Sequence, residues 1–294
     1  MPSFREVVVH TLSTDFRAAT KIVVHPELPT ASPGHVVVKN HFLGVNATDI
    51  NVTNGVFNEN PPPFGCGLDA AGVVVAVGDG VESVTVGDTV VYDKFGAYAE
   101  YVEVPIGSVL KTPELSPAAL PLTVCGISAS IAIEHSDEKA EHLKRLGCDR
   151  VINYNKESIT QVLAKEYPRG IDIAFETIGG EMFKTVFDHM AIRGRIVVFG
   201  HISEYRGDKP RFPFLVSEMN EVLLMKAITV RGFLLRTYGE LIDTHMNRLF
   251  QLIKDGKLVA GVDPTEFHGL EQISDAIDLM YAHKNVGKIV VRIP

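Results

Sequence analysis

The sequence predicts an α/β protein in two parts, an antiparallel β domain and a parallel-sheet domain, and three observations predict it. REVVVHTL, KIVVHPEL, HVVVKNHFLGVN, AGVVVAVG, DTVVYD and AYAEYVEVP are short Val-rich runs parted by Pro, Gly and Asn. That is the pattern of a compact barrel or sandwich. From Ser136 onward, buried strand-like runs alternate with amphipathic helical ones, as a parallel α/β sheet requires. The length of 294 residues, with 46% hydrophobic and 22% charged, suits about two domains with sizeable cores.

Between the two parts, Ser116-Pro117 supplies an N-cap and a first-turn proline for an apolar helix through Ala118, Leu122 and Ile127. At Ser136 a second helix starts. Asp137 and Glu138 suit its first turn, Ala140, Leu143 and Leu146 recur at helical spacing, and Gly147 stops it. Strand RVINY follows, then a helix through Ile159, Val162 and Leu163, strand IDIAFET, a helix around Met182 to Met190 closed by Gly194, and strand RIVVFG. Helix SEMNEVLLMKA precedes strand ITVRGF. A long helix from Tyr238 to Lys254, closed by Gly256, leads through FHGLEQISDAIDLMYAHKN to a last strand, GKIVVRIP. Its Val and Ile residues are expected to complete a sheet of the first domain, so that the α/β part is an insertion.

A formal net charge of -8 argues against a broad electrostatic hold on nucleic acid or anionic lipid. Three cysteines, Cys66, Cys125 and Cys148, form no disulfide framework and point to a reducing compartment. No charged-then-apolar leader opens the chain and no run of about 18 apolar residues occurs. A cytoplasmic protein is expected, with mitochondrial and peroxisomal locations left open.

GVNATDIN (44–51), AAGVVVAVGDGVESVTVGDTV, FGAYAEYVEVP, SDEKAEHLKRLGCDRVINYN, AFETIGG and NVGKIVVRIP together resemble the medium-chain dehydrogenase/reductase superfamily, in its quinone oxidoreductase and prostaglandin reductase branch. The resemblance implies a GroES-like catalytic domain over 1–118 and 268–294, and a Rossmann-like cofactor domain over 119–267. It implies NADPH as cofactor, small-molecule enone or quinone substrates, and a homodimer through 228–233. It also implies a loss. The family places a strand, an alanine- and glycine-rich turn, a helix and a second strand between segments that here meet at 134–136. That is roughly the size of a βαβ unit, and its turn holds the pyrophosphate. Two missing strands would open a gap of about 9 to 10 Å in the sheet, leaving RVINY without its ordinary partners and exposing edges prone to aggregation.

Carried over by the resemblance, Lys139 and Tyr154 belong to the 2′-phosphate and ribose of NADPH. A compact ammonium suits a phosphate dianion. Thr177, Gly179, Gly180, Ser203, Tyr205 and Phe233 follow successive strands at the nicotinamide side, and Asn285 joins the cofactor set. Each has an ordinary alternative: a solvated helix cation, a strand-end aromatic, a tight turn. Tyr205 is the candidate for positioning a substrate carbonyl or supplying a proton, because Phe57 stands where some relatives carry a tyrosine donor. Asn46 is the second catalytic candidate, or merely caps its turn. No metal is expected: Asn46 and Leu68 stand where zinc-dependent relatives carry cysteine and histidine, and Cys125 stands alone. Gly65-Cys66-Gly67-Leu68-Asp69-Ala70 matches a dinucleotide pattern but lacks the preceding strand and following helix. The function expected is NADPH-dependent reduction of α,β-unsaturated ketones or quinones by hydride transfer. The alternative is a truncated family member in which cofactor binding and catalysis are weak or lost.

Overall fold

The computed structural model describes residues 2–57, 60–121, 131–207, 212–213 and 215–294. The chain divides into two compact units, Met1–Gly126 with Leu241–Pro294, and Ile127–Glu240.

In the first unit β1 (Phe4–Val9) pairs antiparallel with β2 (Thr20–His25), across the short helix α1 (Phe16–Ala19), and with β4 (Phe64–Gly65). A seven-stranded sheet is built on β3 (His35–Gly44). One edge of β3 carries β5 (Asp69–Val77); the other is shared by β7 (Tyr101–Pro105) along His35–Lys39 and by β15 (Val290–Arg292) along Phe42–Gly44. β6 (Thr89–Asp93) and β8 (Val109–Lys111) extend the sheet beyond β5, and β14 (Phe267–His268) lies outside β15. The last strand thus returns to the first sheet.

β3 is apolar at both its ends, and both its faces are covered. Val36, Val38 and Leu43 join the main core with Val74, Tyr98 and Val291, while Phe42 packs with Ala71, Val91, Leu120 and Phe250. Phe250 belongs to α7 (Gly239–Lys254), which is why that helix groups with the β unit. Register shifts at Val37/Val38 and Asn40/Phe42 bend β3 around its neighbours. Where β5 crosses it, Gly72 comes so close that a Cβ would sit 2.1 Å from the Lys39 carbonyl oxygen. The buried Asn40 amide is satisfied by donating to Ala97 and Ala99 carbonyls and accepting from the Tyr92 hydroxyl. α2 (Asp49–Thr53) follows β3, and α8 (Ile273–Tyr281) precedes β15. The GCGLDA segment is followed by β5, a strand, so it builds no phosphate-binding helix terminus.

The second unit is the parallel half. β9 (Ile131–Glu134), α3 (Asp137–Arg145) and β10 (Arg150–Asn153) form one βαβ unit, with Ile152 opposite Ile133. After α4 (Ile159–Glu166) come β11 (Ile171–Glu176), α5 (Gly180–Asp188), β12 (Met190–Val198), α6 (Val216–Lys226) and β13 (Thr229–Gly232). These last three strands make a separate parallel sheet in the order β11-β12-β13.

Two expectations need correction. Ile131–Glu134 is a strand, where the sequence reads as helix, and RVIN keeps it as a partner on one side. The helix expected around Met182 to Met190 ends at Asp188. β12 already starts at Met190, and Gly194 lies inside it. Ser116 does cap its turn through the Ala118 amide, but Leu122, Cys125 and Ile127 fall outside the described residues.

Among the described residues no strand joins β9 to β11. The two sheets meet through side chains: Ile171, at the start of β11, packs both with Ile152, Val162 and Leu163 and with the cluster around Phe187 and Ile196. Farther along β11, Ile173 and Phe175 are 47% and 48% exposed, against the rule that parallel strands are covered on both faces. Unpaired apolar edges recruit other chains. Phe175→Lys is therefore expected to lower concentration-dependent light scattering at 37 °C while changing folding stability by under ~1 kcal/mol. Unchanged scattering would show that association starts elsewhere.

Candidate functional site

The candidate residues fall into three clusters, two at the carboxyl ends of the split parallel sheets and one inside the β unit. At the ends of β11 and β12 the chain turns tightly. Gly179 has φ 76°, and a Cβ there would lie 2.8 Å from the His201 Cβ, so only glycine fits. Buried Glu176 closes the turn: its Oε1 accepts from the Ile178 and Gly179 amides at 2.9 Å. Burial pushes its carboxyl up, against the pull of those amides. The Thr177 carbonyl accepts from the Ile202 amide, and Ser203 Oγ donates to the Ile178 carbonyl at 2.6 Å. The Tyr205 hydroxyl accepts from the His201 amide at 3.3 Å, and its ring meets His201 edge-on. Phe233 stacks between Phe199 and Tyr238. The structure thus brings Thr177, Gly179, Ser203 and Tyr205 together, with Phe233 on the next strand end.

Glu176, Gly179, Gly180, Phe183, His201 and Phe212 line a recess of about 220 Å³. That is below the ~300 Å³ of ordinary ligand pockets, room for a single ring.

At the ends of β9 and β10 lie Lys139 and Tyr154. Ser136 caps α3, its Oγ accepting from the Lys139 amide. The Tyr154 amide donates to the Glu134 carbonyl at 3.0 Å, and its ring lies 6.1 Å from that of His135. Lys139 Nζ lies 3.9 Å from Glu134 Oε2. Burial and the Glu134 charge raise the Tyr154 hydroxyl.

NADPH can be tested against these residues. An uncharged ring suits the recess. The phosphates do not fit: the segment 122–130, LTVCGISAS, carries a single glycine where a pyrophosphate turn needs several, the Ile178 and Gly179 amides already serve Glu176, and Lys139 faces a carboxylate.

In the β unit Asn46 is buried. Its Nδ2 donates to Asp69 Oδ1 at 2.7 Å and to the Gly44 carbonyl, and its Oδ1 accepts from Lys288 Nζ at 2.5 Å. Lys288 also pairs with fully buried Asp69 at 3.1 Å. Asp49 caps the Asn46 amide and accepts from the Tyr98 hydroxyl through one oxygen, while the other, Oδ1, has no partner. Leu68 lies in the hydrocarbon core, where no ligand atom is offered. Asn285 donates to the Gly287 carbonyl at 2.9 Å. Asp49, Asp69, Lys288, Glu134 and Glu176 were not singled out from sequence, although Asp49 and Asp69 stand as charges inside apolar runs.

Burial pushes the Asp49 carboxyl up to about 7 from its ordinary 3.8. The folded protein therefore binds this proton more tightly than the unfolded chain does. The resulting stability is complete below 3.8, falls as pH rises towards 7, and is level above it. Asp49→Asn copies the protonated shape. Between pH 4.5 and pH 8 its stability relative to the parent, measured by urea unfolding, is expected to rise by about 3 kcal/mol. A pH-independent difference would show that Asp49 does not hold the proton.

Residues 32–114 match the alcohol dehydrogenase GroES-like domain and residues 119–254 the zinc-binding dehydrogenase domain. A "Probable quinone oxidoreductase" of Leishmania amazonensis is 35% identical over 336 residues, covering 99% of this chain and 98% of that protein. Prostaglandin reductase-3 of Mus musculus is 34% identical over 339 residues, covering 99% and 90%. Both alignments are longer than the 294-residue chain, so both relatives contain residues with no counterpart here. The structure of Escherichia coli quinone oxidoreductase complexed with NADPH superposes with a TM-score of 0.78 at 19% identity, covering 98% of this chain and 99% of that one. Two matched domains in family order and near-complete alignment to two reductases establish that the chain belongs to the medium-chain dehydrogenase/reductase superfamily, with quinone oxidoreductase and prostaglandin reductase-3 among its relatives.

Proposed function

We propose that the chain is a reductase of quinones or α,β-unsaturated ketones by type, in which cofactor binding and hydride transfer are strongly weakened. The names of its relatives support the reaction type, and the E. coli complex supports a nicotinamide nucleotide as the family's hydride donor. The observation that carries the weakening is the break between β9 and β11. In open α/β sheets a dinucleotide is held at the strand order's switch point, with its pyrophosphate on a glycine turn and helix N-terminus. Among the described residues here, no strand joins β9 to β11.

In this reading the recess at β11 and β12 takes the uncharged ring, with Thr177, Gly179 and Ser203 shaping it and Phe233 beside it. The Tyr205 hydroxyl holds a substrate carbonyl; Asn46, within the β unit, stays the second catalytic candidate. Lys139, Tyr154 and Asn285 are the remaining cofactor contacts. The same proposal includes a cytoplasmic location and the homodimer through 228–233, where β13 is an edge strand. No helix among the described residues is long and apolar enough to cross a membrane.

Loss of two or three charge-assisted hydrogen bonds to a pyrophosphate costs about 4 kcal/mol or more, roughly a thousandfold in rate constant. NADPH-dependent reduction of a soluble quinone, assayed beside the Leishmania amazonensis relative, is expected to show kcat/KM lower by about that factor. Tyr205→Phe should reduce what remains by about tenfold or more. Activity within tenfold of the relative would refute the weakening.

A further inference from the structure

The parallel sheet β11-β12-β13 has one covered face and one open face. Its register aligns side chains in rows across the strands, and successive residues of a strand point to opposite faces. Ala174, Ile196 and Val230 form a row on the covered face, packed with Phe187 of α5 and with Val222 and Leu223 of α6. The rows on either side of it, Ile173-Arg195-Thr229 and Phe175-Val197-Arg231, lie on the other face. There Ile173 and Phe175 are half exposed, and Arg195, Thr229 and Arg231 are exposed. Arg231 is held in place by donating to the Tyr238 hydroxyl at 2.8 Å. Phe199 extends the face past the strand end, its ring 5.7 Å from that of Phe175. An apolar column on β11 thus adjoins a basic one on β12 and β13, over about 10 Å, the width of one helix.

α6 carries the complementary surface. Met219, Val222 and Leu223 pack against its own sheet, and helical spacing gathers Glu218, Glu221, Leu224 and Met225 on the outer side. Both glutamates are exposed, and Leu224 and Met225 are 80% and 74% exposed. A contiguous apolar exposure rimmed by charge marks an interaction surface.

We propose that the open face of the sheet docks α6 of a second copy of this chain: Leu224 and Met225 pack on Ile173, Phe175 and Val197, while Glu218 and Glu221 meet Arg195 and Arg231. A parallel sheet needs cover on both faces, and a neighbouring helix then supplies it. The face and the helix are different surfaces of one unit, so the contact is heterologous, and copies add head to tail unless the rotation closes a ring. Pairing at the β13 edge is a separate contact, made by backbone and indifferent to these side chains.

Sedimentation velocity of the full chain, from low micromolar to submillimolar concentration, reads the contact. The parent is expected to be larger than a monomer, the more so at higher concentration, and to shrink as salt screens the charges. Arg195→Glu/Arg231→Glu and Glu218→Lys/Glu221→Lys should each weaken association by about tenfold or more, because like charges then meet across the contact. Urea unfolding checks that both variants are folded. Mixed in equal amounts, they set reversed helix against reversed face and unchanged helix against unchanged face, so the mass should return to that of the parent. A parent that stays monomeric throughout overturns the proposal, as do folded variants that stay apart when mixed. Association that either reversal leaves unchanged also overturns it, and assigns the assembly to strand pairing at a sheet edge.

Discussion

A parallel strand inside a sheet must give its amides and carbonyls to a neighbour on each side. The break between β9 and β11 is where this chain does not meet that requirement. Each fragment satisfies what it can: Ile131–Glu134 pairs with Arg150–Asn153 on one side, and Ile171–Glu176 pairs with β12 on one side. Among the described residues, what crosses the break is packing through Ile171. Packing fixes spacing without direction, whereas a ladder fixes register to a single residue. A dinucleotide spans several strand ends, so it needs the second kind of order.

The β unit has the opposite character. Its polar cluster ties distant parts of the chain to one point: Asn46 after β3, Asp69 opening β5, Tyr98 before β7 and Lys288 before β15. A buried ammonium with one carboxylate and one amide oxygen is a demanding arrangement. Removing one partner of such a pair costs 3–5 kcal/mol because the other charge is stranded. Asp49 answers the same demand differently: burial pushes its carboxyl up to about 7, so it takes a proton more readily than an exposed aspartate. Lys288 neutralises Asp69, and nothing comparable is left to neutralise Asp49.

How much of this the sequence disclosed follows the range of the interactions. Local signals read correctly: Ser116 and Ser136 cap their turns through the Ala118 and Lys139 amides, and the Val-rich runs are strands. The parallel order of the second unit was legible from its alternating periods. Ile131–Glu134 was not. Four residues, Ile-Ala-Ile-Glu, carry too little periodicity to separate strand from helix, and its state is decided by pairing with β10, some 20 residues on. The same holds for the charged clusters. Asp49 and Asp69 are far apart in the chain, and only the fold shows that they share Asn46. Glu134 marked only the junction in the sequence, and its neighbourhood depends on the strand it terminates.

The carboxyl ends of both parallel fragments finish in an acid, Glu134 on β9 and Glu176 on β11, and each acid is followed by the N-terminus of a helix. Those positions ordinarily welcome anions from outside, through unfilled amides and the helix dipole. Here the protein supplies the anions itself. Glu176 takes the Ile178 and Gly179 amides; Glu134 takes the His135 amide and lies against Lys139. A ligand bearing several phosphates would have to displace carboxylates already held by their donors, and would then leave those carboxylates facing its own charge. Burial raises the Glu176 carboxyl. The two acids therefore leave fewer free donors at these strand ends for an anionic ligand.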